Sequence, residues 1–130
     1  MTDLMPTFRY VDAPAAIDWL CDAFGFERVT VLPGPDGAIA HAELRHGDAV
    51  IAINSAPAGF ATTDTADFRF VPCSVYLRVS DVDEHCATAS AAGAGITMPP
   101  TDMPYGSREY SARDPEGHHW HFGSYVPGTA

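Results

Sequence analysis

Near the C-terminal end of this sequence, two histidines and a carboxylate fall at one strand parity. Glu109, Ser111 and Arg113 alternate with Tyr110 and Ala112, and His119 and His121 alternate with Trp120 and Phe122. Side chains in a strand point to opposite faces with period two. Paired as neighbours, the two stretches would gather Glu109, Ser111, His119 and His121 on a polar face, backed by apolar Tyr110, Ala112, Trp120 and Phe122. Imidazoles and a carboxylate on one face can ligate a divalent ion, with His119 and His121 as the candidate ligands and Glu109 or Glu43 as a third. The same groups can instead line a wet cleft that takes a small organic ligand. A second cluster lies earlier, where His41, Glu43 and Arg45 alternate with Ala40, Ala42 and Leu44. Tyr105 and Arg108 stand at the mouth of the last strand pair. They suit an anionic or aromatic group, although Arg108 could equally pair with an acidic neighbour. No nucleophile with its base, phosphate loop or nucleotide fingerprint is present.

The elements that would position these residues can be read from turn and cap chemistry. Asp114-Pro115-Glu116-Gly117 has the residue order of a type I turn ending in a glycine bulge, which closes a hairpin. Asp12 reads as an N-cap, with Pro14 tolerated in the first turn. Ile17, Leu20, Cys21 and Phe24 follow at helical spacing, and Gly25 suits the C-terminal cap. A second helix runs near Asp81–Ala92, capped by Ser80, with Val82, Cys86 and Ala89 as its apolar stripe and Gly93 at its end. Short strands are expected at 7–11, 26–32, 38–46, 49–54, 74–79 and 94–98, the last broken by Pro99-Pro100. Three lone histidines are assigned bland places: His85 and His46 in solvent, His118 in the turn. Trp19 and Trp120 read as packing residues.

The two halves repeat. Arg9 and Asp12 stand to Arg78 and Asp81 at one common interval, and each half reads strand, helix, three strands. Two βαβββ modules are therefore expected in a single α+β domain over residues 1–130. Module one covers about 5–54, a linker about 55–73, and module two about 74–126. The two mixed sheets would form a cleft-shaped, barrel-like arrangement with the helices outside. The linker is long for a connection within a compact domain, and its Phe60, Phe68 and Phe70 could cover apolar surface.

Bulk properties narrow the partners. The formal net charge is −10 and every basic residue is arginine. Nucleic acid, which calls for a basic patch, is not an expected partner. An acidic surface serves solubility and could favour a cationic ligand. The three cysteines, Cys21, Cys73 and Cys86, lack CxxC spacing. No signal peptide or membrane-spanning run is evident, so a cytoplasmic location without membrane partners is the expectation.

Two stretches carry a family resemblance. Tyr105-Gly106, Arg108 and Asp114-Pro115-Glu116-Gly117-His118-His119-Trp120 resemble the closing hairpin of the vicinal oxygen chelate superfamily of glyoxalase I, bleomycin-resistance proteins and extradiol dioxygenases. Phe8-Arg9-Tyr10-Val11-Asp12-Ala13-Pro14-Ala15-Ala16-Ile17, followed by Ala23-Phe24-Gly25-Phe26, resembles its opening strand and helix. The match is to small one-domain bacterial glyoxalase-like members, and it implies paired βαβββ modules and a homodimer. It also implies a divalent metal on four strand positions, which fall here at about Met5, Ile51, Ser74 and His121. Only His121 is a good ligand for a divalent ion, so no metal set is assigned and no cofactor is expected, with a divalent metal on His121 and His119 as the alternative. The implied function is small-molecule binding of the bleomycin-resistance kind, lined by His119, His121, Glu109, His41, Glu43, Tyr105 and Arg108. The alternative is a divalent-metal-dependent lyase, isomerase or dioxygenase with a non-standard ligand set.

Overall fold

Each half of the chain builds one helix against one four-stranded sheet. A computed structural model describes residues 4–57 and 73–129. Phe60, Phe68 and Phe70 of the expected linker lie outside the described residues. The chain divides into two compact units, residues 1–62 and 63–130.

The first unit comprises β1 (Thr7–Tyr10), α1 (Ala13–Phe24), β2 (Glu27–Pro33), β3 (Ile39–His46) and β4 (Ala49–Ser55). Its strand order is β1-β4-β3-β2, with β1 parallel to β4 and the other pairs antiparallel. A one-turn 3-10 helix, Pro35–Gly37, fills the turn between β2 and β3. The register places Phe8 beside Ile53, and Ile53 beside Ala42. These three, with Tyr10, Leu44 and Ile51, are buried on one face of the sheet. Helix α1 starts where the Asp12 carboxylate accepts the Ala15 amide at 3.1 Å and ends at Gly25, whose φ of 82° is left-handed. It buries Ala13, Ala16, Ile17, Leu20, Ala23 and Phe24. Cys21, expected on that stripe, is only half-buried.

The second unit repeats the order with β5 (Val75–Arg78), α2 (Val82–Ala91), β6 (Gly95–Asp102), β7 (Arg108–Arg113) and β8 (His119–Gly123). The sheet runs β5-β8-β7-β6, with β5 parallel to β8. Helix α2 buries Val82, Cys86 and Ala89. Tyr110, Ala112, Trp120 and Phe122 are fully buried.

Three expectations need correction. Asp81, not Ser80, caps α2: its carboxylate accepts the Glu84 amide at 3.1 Å. Pro99-Pro100 does not break β6, which runs through both prolines to Asp102. β6 is the outer strand of its sheet, and register shifts between Ile96 and Thr101 leave the prolines out of the pairing. A missing amide is tolerated at such a position. His85 and His46 are not in open solvent. The His85 ring lies 4.6 Å from the Phe122 ring and bonds the Tyr110 hydroxyl at 2.6 Å. His46 stands edge-on to Phe26 at 5.7 Å.

Candidate ligand-binding site

The closing hairpin of the second unit is held by Asp114. Its backbone accepts the Gly117 amide at 3.0 Å, and Gly117 takes a left-handed φ of 91°. Its carboxylate accepts the Glu116 and His118 amides at 3.1 and 3.0 Å, then the Trp120 indole N–H at 3.1 Å. The side chain is fully buried. One carboxylate thus fixes both the turn and the rotation of β8. With Trp120 and Phe122 committed to the apolar face, His121 must point the other way.

His85 of α2 touches both Tyr110 and Phe122, so that apolar face is the one α2 covers. On the opposite face, register brings Ser111 beside His121, His121 beside Tyr76, and Glu109 beside Gly123. There a pocket of about 770 Å³ is lined by Tyr76, Thr97, Met98, Met103, Tyr105, Glu109, Ser111, His121, Tyr125 and Pro127. Its volume lies within the range of small-molecule sites.

Hydrogen bonds fix the polar groups. His121 Nδ1 and Ser111 Oγ are 2.7 Å apart. Burial pushes the His121 pKa down, against a smaller upward pull from Glu109. The ring therefore favours the neutral form, with Nδ1 engaged by Ser111. The Tyr105 hydroxyl donates to Glu109 Oε1 at 2.8 Å. That bond is the main cause of a raised Tyr105 pKa. The Tyr76 hydroxyl donates to the Tyr125 carbonyl at 2.8 Å. Burial raises the Tyr76 pKa, and a hydrogen bond with Ser107 opposes the rise. Gly123 lets the Tyr76 ring pass close: a Cβ there would meet Tyr76 Oη and Glu109 Cγ at 2.7 Å each.

Of the expected site residues, His121, Glu109 and Tyr105 come together at this pocket. His119 shares the parity of His121 but is buried opposite Arg113 and is not among the lining residues. Arg108 is turned to other work: its guanidinium binds both Asp83 oxygens at 2.9 Å and Asp102 at 3.0 Å. His41 and Glu43 belong to the first unit, where they pair with each other at 2.8 Å. The sequence reading missed Tyr76, Met98, Met103 and Tyr125. Tyr76 had a signal, since it alternates with buried Leu77; the others lie at an irregular edge strand or beyond strand ends.

The metal positions implied by the resemblance do not fit a metal. Met5 is exposed and precedes β1, and Ser74 is exposed and precedes β5. Ile51 is buried on the apolar face of the first sheet. The residue paired to β1 as His121 is paired to β5 is Ala52, which has no donor. Among the described residues, no group of three or more His, Cys, Asp and Glu side chains is placed to hold an ion. A catalytic metal normally needs three protein ligands.

Two βαβββ units, each with a helix on one sheet face, define a class of paired-module α+β proteins. The chain belongs to the Glyoxalase/Bleomycin resistance protein/Dioxygenase superfamily, whose family model matches residues 5–122. An uncharacterised protein of Mycobacterium bovis is 35% identical over 127 residues, which cover 95% of this chain and 83% of that protein. The crystal structure of TioX from Micromonospora sp. ML1 is similar at a TM-score of 0.77 and 34% identity, covering 97% of this chain and all of TioX. The fosfomycin resistance protein FosX from Listeria monocytogenes shares the fold at a TM-score of 0.70 and 15% identity, with 98% of this chain and 96% of FosX covered. No helix among the described residues is long and apolar enough to cross a membrane.

Proposed function

We propose that this protein is a small-molecule-binding protein whose ligand site is the pocket of the second unit. The observation that carries this reading is the neutral, partly desolvated His121 beside Glu109 in a lining otherwise dominated by tyrosine rings and methionine side chains. Binding sites combine an apolar wall with a few convergent polar groups in this way. Each of these polar groups has one protein partner, and the bonding capacity that remains calls for water or a ligand. The poor fit of the metal positions favours binding over metal-dependent lyase, isomerase or dioxygenase chemistry. A cytoplasmic homodimer is part of the proposal. The outer strand β2 exposes Val29, Val31 and Leu32, and an apolar strand edge of this kind favours pairing with another copy.

The test is a fluorescence titration with acridine, a neutral tricyclic at about pH 8. Saturable binding is expected, weakened at least about tenfold by Met98→Lys, which brings a charged ammonium to the apolar wall; tenfold corresponds to about 1.4 kcal/mol. Binding that does not saturate, or that ignores Met98→Lys in a folded variant, would reject the site. The same titration repeated with nickel, zinc, manganese or iron(II) separates the two functional classes. Metal uptake that raises affinity would favour the enzyme.

A further inference from the structure

We infer that the pocket selects an aromatic organic cation, a planar ring system bearing a quaternary or protonated nitrogen; the inference rests on the binding reading above. Four observations converge on it. First, Glu109 is the one carboxylate among the described lining residues, and no arginine joins it there. Second, the two basic groups nearest in the sheet do not compensate it at the wall. Arg108 is spent on Asp83 and Asp102, and Arg78, which acts on Tyr76, is exposed and outside the lining. Third, His121, the histidine among the described lining residues, favours the neutral form because it is buried, so it adds no positive charge that would repel a cation. Fourth, three tyrosines surround the site. The Tyr76 and Tyr125 rings stand edge-to-face with centroids 6.3 Å apart, and Tyr105 orients the Glu109 carboxylate through its hydroxyl.

Tyrosine faces attract a cation through the ring quadrupole, and the attraction grows as water is excluded. The thioethers of Met98 and Met103 are polarizable and adapt to a flat ring. An anionic ligand would face Glu109 with no cation among the described lining residues to offset the repulsion. A neutral ligand would gain the ring contacts but leave the carboxylate without a charge partner. The net charge of −10 adds a long-range field that draws cations and repels anions. The four features therefore act in one direction on ligand charge while leaving ring identity open.

The test uses one ring system at three charges: N-methylacridinium, acridine and acridine-9-carboxylate, titrated calorimetrically at about pH 8 and low salt into the full chain. N-methylacridinium should bind at least about tenfold more tightly than acridine, with the carboxylate weakest. Glu109→Gln should remove most of the advantage of the cation over acridine. Tyr105→Phe, which frees the carboxylate without removing it, should retain the cation preference. Equal affinity for cation and neutral ring, or preference for the carboxylate, would overturn the inference while leaving the pocket a binding site. A cation preference that survives Glu109→Gln would overturn it as well. Failure of all three probes to bind would instead remove the binding reading on which it stands.

Discussion

Replacing Gly123 by alanine probes the closest approach in the pocket wall. Gly123 does not have a left-handed φ, so alanine suits its backbone and any cost is steric. The new methyl carbon would lie 2.7 Å from Tyr76 Oη, 2.7 Å from Glu109 Cγ and 3.0 Å from Tyr76 Cε2. All are well inside van der Waals contact, and two pocket residues must move together. Overpacking of this kind costs about 1–3 kcal/mol. Displacing the Tyr76 hydroxyl from the Tyr125 carbonyl adds about 1 kcal/mol. The sum is about 2–4 kcal/mol, or a fall in Tm of about 8–16 °C at about 4 °C per kcal/mol for a chain of this size. Tyr76→Phe alone loses only the hydrogen bond. In the double variant the hydroxyl clash is absent, so its destabilisation should fall short of the sum of the two single changes by about 1 kcal/mol. Urea melts of the four proteins read this coupling. Additive effects, or a Gly123→Ala protein melting within about 2 °C of the parent, would show that the Tyr76 ring does not lie across Gly123.

Other outcomes follow from the same contacts. Asp114→Ala should cost about 3–5 kcal/mol by urea denaturation, because it strips partners from two turn amides and the buried Trp120 indole. Burial holds the folded pKa of His121 below the ordinary histidine value of 6.5. The unfolded chain therefore binds the proton more readily, and stability should fall as pH drops below about 6.5 and level off once the folded pKa is passed. His121→Gln should flatten that part of the pH profile of urea midpoints. Arg108→Ala should leave acridine affinity within about twofold, since its guanidinium is engaged away from the pocket. Sedimentation at micromolar concentration should give a species of twice the chain mass, and a monomer alone would contradict the proposed assembly.

The elements were legible where local chemistry is strong. Asp12 and Gly25 bracket α1 because a carboxylate cap and a left-handed glycine are local requirements. Asp114 and Gly117 announce the hairpin for the same reason, and alternation around Trp120 gives the direction of His121. The cap of α2 was misread because Ser80 and Asp81 both satisfy the pattern, and only the distance to the Glu84 amide separates them. β6 was cut short because proline in a strand signals a break unless the strand is known to be outermost, which is a property of the sheet. The polar half of the pocket was readable from strand parity. The apolar half was not, because Met98 and Met103 fall where bulges erase alternation and Tyr125 follows the last strand. Arg108 and His119 share the sequence neighbourhood of the site but are committed elsewhere, one to carboxylates on the surface and one to burial.

The proposed ligand site is the pocket walled by β5, β6, β7 and β8. Amide chemical-shift mapping of the isotopically labelled chain during titration with N-methylacridinium tests it most directly. Saturable, one-to-one shifts are expected, concentrated at Tyr76, Met98, Tyr105, Glu109, Ser111, His121 and Tyr125, with α2 little changed. Shifts centred on other elements, or none at saturating probe, would contradict it.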